Sequence, residues 1–194
     1  MADVEREKPA ALKEWAVAVK ALSEGEQILV LRKGGIHEET RDFQLASPRF
    51  YLLPAYEHQK PELLKERYRD GIEETLADWR LQEGNIRISA YAEAVEDIEI
   101  RDQETLDKLR DFHIWTDTFA EERLKWKKAK PLHLLLLRVF RAERPVEIPM
   151  DSAYSGCKSW VKLDHMPAEP QWKPVMDEAA FEQSVNKIKA ALGI

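Results

Sequence analysis

Cysteine is nearly missing from this chain. Cys157 stands alone among 194 residues, which excludes an internal disulfide and a cysteine-based zinc cage. The five histidines (His37, His58, His113, His133, His165) lack zinc-ligand spacing, and no HExxH occurs. No His or Asp stands at a spacing that marks a catalytic triad with Ser155 or Ser159. Long apolar runs are missing too. The longest, residues 132–140, is interrupted by His133 and Arg138 and is far too short to span a bilayer. The N-terminal stretch MADVEREKPAALKEW is charged and lacks the apolar core of a signal peptide. A cytoplasmic protein without a membrane partner is the expectation. Positive charge is in deficit as well. A net charge of −6 and a pI near 5.5 argue against coating nucleic acid by bulk electrostatics, though a local basic patch stays open. No metal, nucleotide or catalytic signature of real specificity appears, so no cofactor or metal is expected. There is no internal repeat or low-complexity tract.

What is present is globular composition, 44% hydrophobic and 34% charged, in a length that fits a single globular domain over residues 1–194. Residues 1–11 read as a short or frayed lead-in. Trp15, Val17, Val19 and Ala21 alternate with Ala16, Ala18 and Lys20, which is strand periodicity. With a polar connector at 23–27 and a second apolar run at 28–31, the segment predicts a β-hairpin. Pro48 and Pro54 bracket a short strand at 49–53. Pro61 is placed to open a helix, whose stripe is Leu64, Tyr68, Ile72, Leu76 and Trp79. Gly71 is a cost within it, on the order of 1 kcal/mol relative to alanine.

Ile86, Ile88, Ala90 and Ala92 alternate as a strand that runs unevenly toward Ile100. Residues 103–130 are helical in composition, with a break expected near 114–117 and Thr116 or Asp117 capping the second part. The near-continuous apolar run at 132–139 predicts a central strand buried on both faces. Prolines punctuate 141–175, which reads as loops and short strands. A C-terminal helix is expected over 177–192, with Asp177 as its cap and Gly193 just past its end. The whole is α+β, a mixed or largely antiparallel sheet packed with three to four helices.

Three clusters carry candidate chemistry. Arg32, Lys33, Gly34 and Gly35 place two cations beside two residues that tolerate positive φ, which fits a phosphate cradle or an ordinary solvated turn. Tyr56, Glu57, His58 and Gln59 group acid–base and hydrogen-bonding side chains. On an extended chain Glu57 and His58 point to opposite faces, and the segment also fits a polar loop that caps the following helix. Tyr154 to Trp160 holds Cys157 beside Lys158, so Cys157 is either an activated thiol or a small buried hydrophobe. Lys125, Trp126, Lys127, Lys128 and Lys130 form a basic helix end, suited to the helix dipole or to a nucleic acid backbone.

The segments ALKEWAVAVKAL (11–22), LRKGGI (31–36), FYLLPAYEHQ (50–59), LLLLRVF (134–140) and YSGCKSWVKL (154–163) together resemble a bacterial family known only as a domain of unknown function, number 1802 in that series. The resemblance spans residues 12–163. It implies no established activity. An association of some relatives with restriction-endonuclease-like domains implies a restriction or defence setting.

Two functions from different classes follow as expectations. In the first, a nucleic-acid- or phospholigand-binding module, Arg32, Lys33, Arg49 and Lys158 meet phosphate, while Tyr56, His58, Gln59 and Tyr154 read the ligand. In the second, a hydrolase or nuclease-like enzyme uses Glu57 and His58 as catalytic residues. A protein–protein interaction module is a third class. The sequence leaves the oligomeric state undetermined.

Overall fold

The computed structural model describes residues 8–33, 45–164, 166 and 170–194. Seven strands and five helices stand among them: β1 (Ala10–Trp15), α1 (Ala16–Ser23), β2 (Leu29–Arg32), β3 (Arg49–Ala55), α2 (Asp70–Arg80), β4 (Asn85–Ile100), α3 (Gln103–Asp107), α4 (Asp117–Lys125), β5 (Leu132–Pro149), β6 (Trp160–Lys162), β7 (Trp172–Pro174) and α5 (Glu178–Leu192). The α+β expectation holds, with one helix more than expected.

The strands form one mixed sheet in the order β2-β5-β4-β3-β1-β6, with β7 also paired to β5. β1 and β3 run parallel. β4 and β5 form a long antiparallel ribbon from Asn85↔Pro149 to Ile100↔Leu132, with register shifts at Ile88/Ala90 and Ala94/Glu96. Such shifts bend a strand pair and increase its twist. β5 is the expected double-faced strand. Leu132, Leu134 and Leu136 enter one core cluster with the helices, while Leu135, Leu137 and Val139 enter a second with Leu12, Leu22 and Leu52.

The hairpin expected at the start is not formed. Its first arm is strand only to Trp15, so residues 10 and 11 also belong to β1 rather than to a lead-in. Residues 16–23 are the helix α1. Ala16, Val17, Ala18, Val19, Ala21, Leu22 and Ser23 are all buried, and a helix apolar on every side belongs inside a protein rather than on its surface. Alternating Ala and Val satisfies a period of two by accident when every position but Lys20 is buried. Pro61 opens only a 3-10 turn (Pro61–Leu63), and a second follows at Glu66–Tyr68 before α2 begins at Asp70. The proline-rich stretch after residue 141 is partly strand, because β5 continues to Pro149.

Other local signals formed as expected. Thr116 accepts the Phe119 N–H at the start of α4. Asp177 accepts the Ala180 N–H, and Gly193 ends α5 in the left-handed region.

Candidate functional site

Four separated segments come together at one pocket of about 590 Å³, within the usual size for small-molecule sites. They are the end of β1 (Lys13, Glu14, Trp15), the end of β2 (Arg32, Lys33), the turn after β3 (Tyr56, Glu57, His58) and the turn before β6 (Tyr154 to Ser159). The parallel pairing of β1 with β3 brings their C-terminal ends side by side, and β6 enters antiparallel beside β1, so its preceding turn faces the same way. Helix α4 closes the pocket with Phe119, Glu122 and Arg123, followed by Trp126.

Six aromatic side chains, Trp15, Tyr56, Trp79, Phe119, Trp126 and Tyr154, form part of the wall. Tyr56 stacks on Trp79 with ring planes 4° apart and centroids 4.9 Å apart. Trp15 packs on Phe119 at 5.3 Å. Burial raises the Tyr56 pKa. Tyr154 is 3% exposed, and its hydroxyl accepts the Asp164 N–H at 3.2 Å, so it anchors the turn that presents the following residues. Gly156 makes this turn possible, because its φ of +86° lies where side chains are rarely tolerated.

The cations are held in different ways. Arg32 donates to Glu14 Oε2 at 3.1 Å and to Ser159 Oγ at 2.6 Å. It is a buried, compensated group in the pocket wall. Lys33 donates to the Leu124 carbonyl, and burial lowers its pKa. Lys13 donates to the Gly156 carbonyl at 2.7 Å, and its pKa is lowered by desolvation, opposed by the nearby Glu57. Burial pushes Arg123 down to about 10, with Arg32 adding repulsion. At that value the guanidinium stays charged at neutral pH. Lys158 is exposed at the rim and makes a long 3.4 Å hydrogen bond to the Ala153 carbonyl. Five cations thus face three carboxylates, Glu14, Glu57 and Glu122, in a chain of net charge −6.

Several sequence expectations change here. Glu57 and His58 do not lie on an extended chain. They form a turn in which His58 takes φ 65°, and both line the pocket. Gln59 does not line this pocket. Its Oε1 accepts the Val17 N–H at 2.9 Å, capping α1 rather than the helix that follows it in sequence. Arg49 is not in the pocket. It pairs with Glu93 at 3.0 Å and lines a separate cavity of about 520 Å³ with Lys8, Tyr91 and Trp172. Cys157 is exposed at the pocket rather than buried in the core. Gly34 and Gly35, with the polar segment to residue 44, lie outside the described residues.

Sequence reasoning missed Lys13, Glu14, Trp15, Trp79, Phe119 and Arg123 as pocket residues. One signal was available for the first three, since residues at the end of a strand that pairs in parallel with β3 must sit beside Tyr56. Among the described residues no group of three or more His, Cys, Asp and Glu side chains is arranged to hold a metal ion, and no helix is long and apolar enough to cross a membrane.

The family model described as Domain of unknown function (DUF1802) matches residues 11–187. No curated protein matches the chain. Among solved structures, ASCH from Zymomonas mobilis is similar at 12% identity, with a TM-score of 0.47 and 94% of each chain covered. Two mutant proteins of it give TM-scores of 0.48 and 0.44 at the same identity. The first covers 81% of this chain and 89% of its own, the second 80% and 90%.

Proposed function

The chain belongs to the DUF1802 family, whose description assigns no activity, and we propose that this member binds a nucleobase-bearing phosphate ligand, a nucleic acid or a free nucleotide, in the pocket between β1, β2, β3 and α4. One observation carries the reading. Five cations from four separated segments converge on an aromatic-walled pocket, although the chain as a whole is acidic. A cleft with low-dielectric walls focuses the field of such groups and attracts an anion despite an opposing net charge. Tyr56 and Trp79, stacked on one another, and Trp126 present aromatic surface to a base, and stacking on such surface contributes about 1–3 kcal/mol per base. Lys13 and Lys158 supply the phosphate contacts, with Arg123 behind them. Arg32 acts through Glu14 and Ser159 as part of the frame, and the restriction or defence setting remains an extension of the family resemblance.

The test is titration with a mononucleotide and with labelled oligonucleotides, followed by calorimetry and fluorescence anisotropy at low and moderate salt. Lys13→Ala and Lys158→Ala should each weaken binding about tenfold and reduce its salt dependence, while Arg49→Ala should leave it unchanged. Absence of binding at low salt would sink the reading.

A second reading, hydrolysis by Glu57 and His58, has one observation in its favour. His58 holds a left-handed backbone at the pocket rim, and such strain in a non-glycine residue clusters at functional sites. Release of product from an oligonucleotide or nucleotide, abolished by Glu57→Gln or His58→Gln with binding retained, would establish it.

A further inference from the structure

Burial divides the pocket into a floor and a rim, and charge is not shared evenly between them. Arg32, Lys33 and Glu14 are 7%, 4% and 2% exposed, and the half-buried Arg123 lines the cavity with them. The other two carboxylates, Glu57 and Glu122, are exposed, as are His58, Cys157 and Lys158. Glu14 is therefore the only acid on the floor among the described residues, and Arg32 takes it in an ion pair of 3.1 Å. Two cations are left over. Lys33 donates to the Leu124 carbonyl. Arg123 donates from Nη1 to the Leu31 carbonyl over a long 3.4 Å, with its guanidinium carbon 4.7 Å from the Phe119 ring centroid. Among the described residues neither is ion-paired with a carboxylate, and Arg32 stands close enough to Arg123 to repel it. Arg32 Nε is itself buried without a hydrogen-bond partner. Lysine and arginine are rarely buried unless paired, and an uncompensated buried charge costs stability. A floor that keeps two such cations is built for an anion that the folded chain does not itself supply. At the rim, Trp79 is 37% exposed, with Tyr56 stacked on it.

Resting on the pocket reading, we infer that the ligand enters phosphate first: a terminal phosphate monoester, of a free nucleotide or of a nucleic-acid end, reaches Arg123 on the floor and leaves its base at the rim against Trp79. The charge matches. A monoester carries about two negative charges at neutral pH, whereas a phosphodiester within a strand carries one. The shape matches too. A monoester keeps all its oxygens but one free for a guanidinium, whose planar fork holds such groups in bidentate fashion. An internal phosphodiester has chain on both sides, and the strand would have to fold back out past the rim. Lys13 and Lys158 meet the phosphate on entry, and Arg123 retains it.

Calorimetry on the whole chain compares a nucleoside, its 5′- and 3′-monophosphates and the methyl ester of each monophosphate. Anisotropy compares a labelled single strand with and without a terminal phosphate. One of the monophosphates should bind about tenfold or more tighter than both the nucleoside and its own methyl ester. Arg123→Met should remove that preference and bring the monophosphate to the affinity of the nucleoside. Arg123→Lys, which keeps the charge and loses the fork, should remove part of it. Without ligand, Arg123→Met should melt no lower than the parent, because the cation it removes repels Arg32 and has no carboxylate partner. A variant that melts lower and keeps the preference for the monoester marks Arg123 as structural and overturns the inference. The comparison of esters uses the parent protein alone, so it decides even where a variant does not fold. Tight binding of the free monophosphate that added chain does not improve assigns the monoester to a nucleotide. A phosphorylated strand that binds tighter than both the mononucleotide and the same strand with a hydroxyl end assigns it to a nucleic-acid end. Equal binding of nucleoside and monophosphates, or of monoester and methyl ester, overturns this inference and leaves the pocket reading standing. Failure of every base-bearing ligand to bind overturns the pocket reading and this inference together.

Discussion

Glu14 on β1 and Arg32 on β2 form an ion pair of 3.1 Å, with side chains only 1% and 9% exposed, although β3, β4 and β5 lie between their strands in the sheet order. In a flat sheet four strand spacings would separate them by about 19 Å. The pair therefore records a sheet that curls until strands distant in the ladder meet across its interior. The bends of the β4–β5 ribbon permit this curl, α1 fills its inside, and the pocket lies where the two strand ends converge.

Breaking this pair on one side should be costly. Glu14→Ala leaves the Arg32 guanidinium buried without its carboxylate, still donating to Ser159 and facing the repulsion of Arg123, and loss of one member of a buried pair typically costs about 3–5 kcal/mol. A double replacement, Glu14→Leu with Arg32→Met, should recover most of that loss. Urea unfolding of the three proteins measures both quantities. A single variant as stable as the parent would mean that the contact does not hold the curl.

Gly71 predicts a change of sign with context. A Cβ added there would meet Val17 Cγ2 at 3.0 Å, so the glycine, a cost to α2 by propensity alone, permits the close approach of α2 to α1. Gly71→Ala in the parent should bring no stabilisation. In a Val17→Ala background the same change should stabilise by roughly 1 kcal/mol, the helix propensity difference. Equal effects in both backgrounds would remove the steric explanation.

Gln59 should behave as a cap. Its side-chain oxygen satisfies the Val17 N–H in the first turn of α1, and caps of this kind contribute about 0.5–2 kcal/mol. Gln59→Ala is expected to lose about 1 kcal/mol in denaturant unfolding and to speed amide exchange at Val17. Unchanged exchange there, measured by NMR, would refute the role.

The buried His113 sets a pH dependence. Its pKa is lowered to about 4, first by burial and then by the positive charge of Lys65, against an ordinary value of about 6.5. Between these values the unfolded chain takes up a proton that the folded protein refuses. Stability should therefore fall as pH drops from about 6.5 to about 4, by up to about 3 kcal/mol, and change no further from this source below that window. His113→Gln should flatten this part of the stability profile. His133 works in the opposite sense, because its hydrogen bond to Asp97 raises its pKa; its contribution is present below about pH 6.5 and is lost as pH rises through the raised value.

The sequence by itself determined what lies within a few residues of its own signal. The Asp177 cap, the stripe of α5 and Gly193 are local, as is Thr116 at the start of α4, and each formed as its chemistry dictates. The continuous apolar run of β5 announced burial on both faces, and the α+β class followed from counting such elements. Where local chemistry is degenerate, only tertiary structure decided. Alternating Ala and Val at 16–19 suits a strand or a buried helix equally, and the interior of the curled sheet selected the helix. Arg49 and Lys158 look alike as cations in sequence, yet the sheet order sends one to Glu93 and the other to the pocket. Gln59 became a cap, and Lys13, Trp15 and Arg123 became pocket walls, because the bends of β4–β5 determine which strand ends meet. Those meetings are sums over contacts between residues tens of positions apart, and no short stretch of the chain contains them.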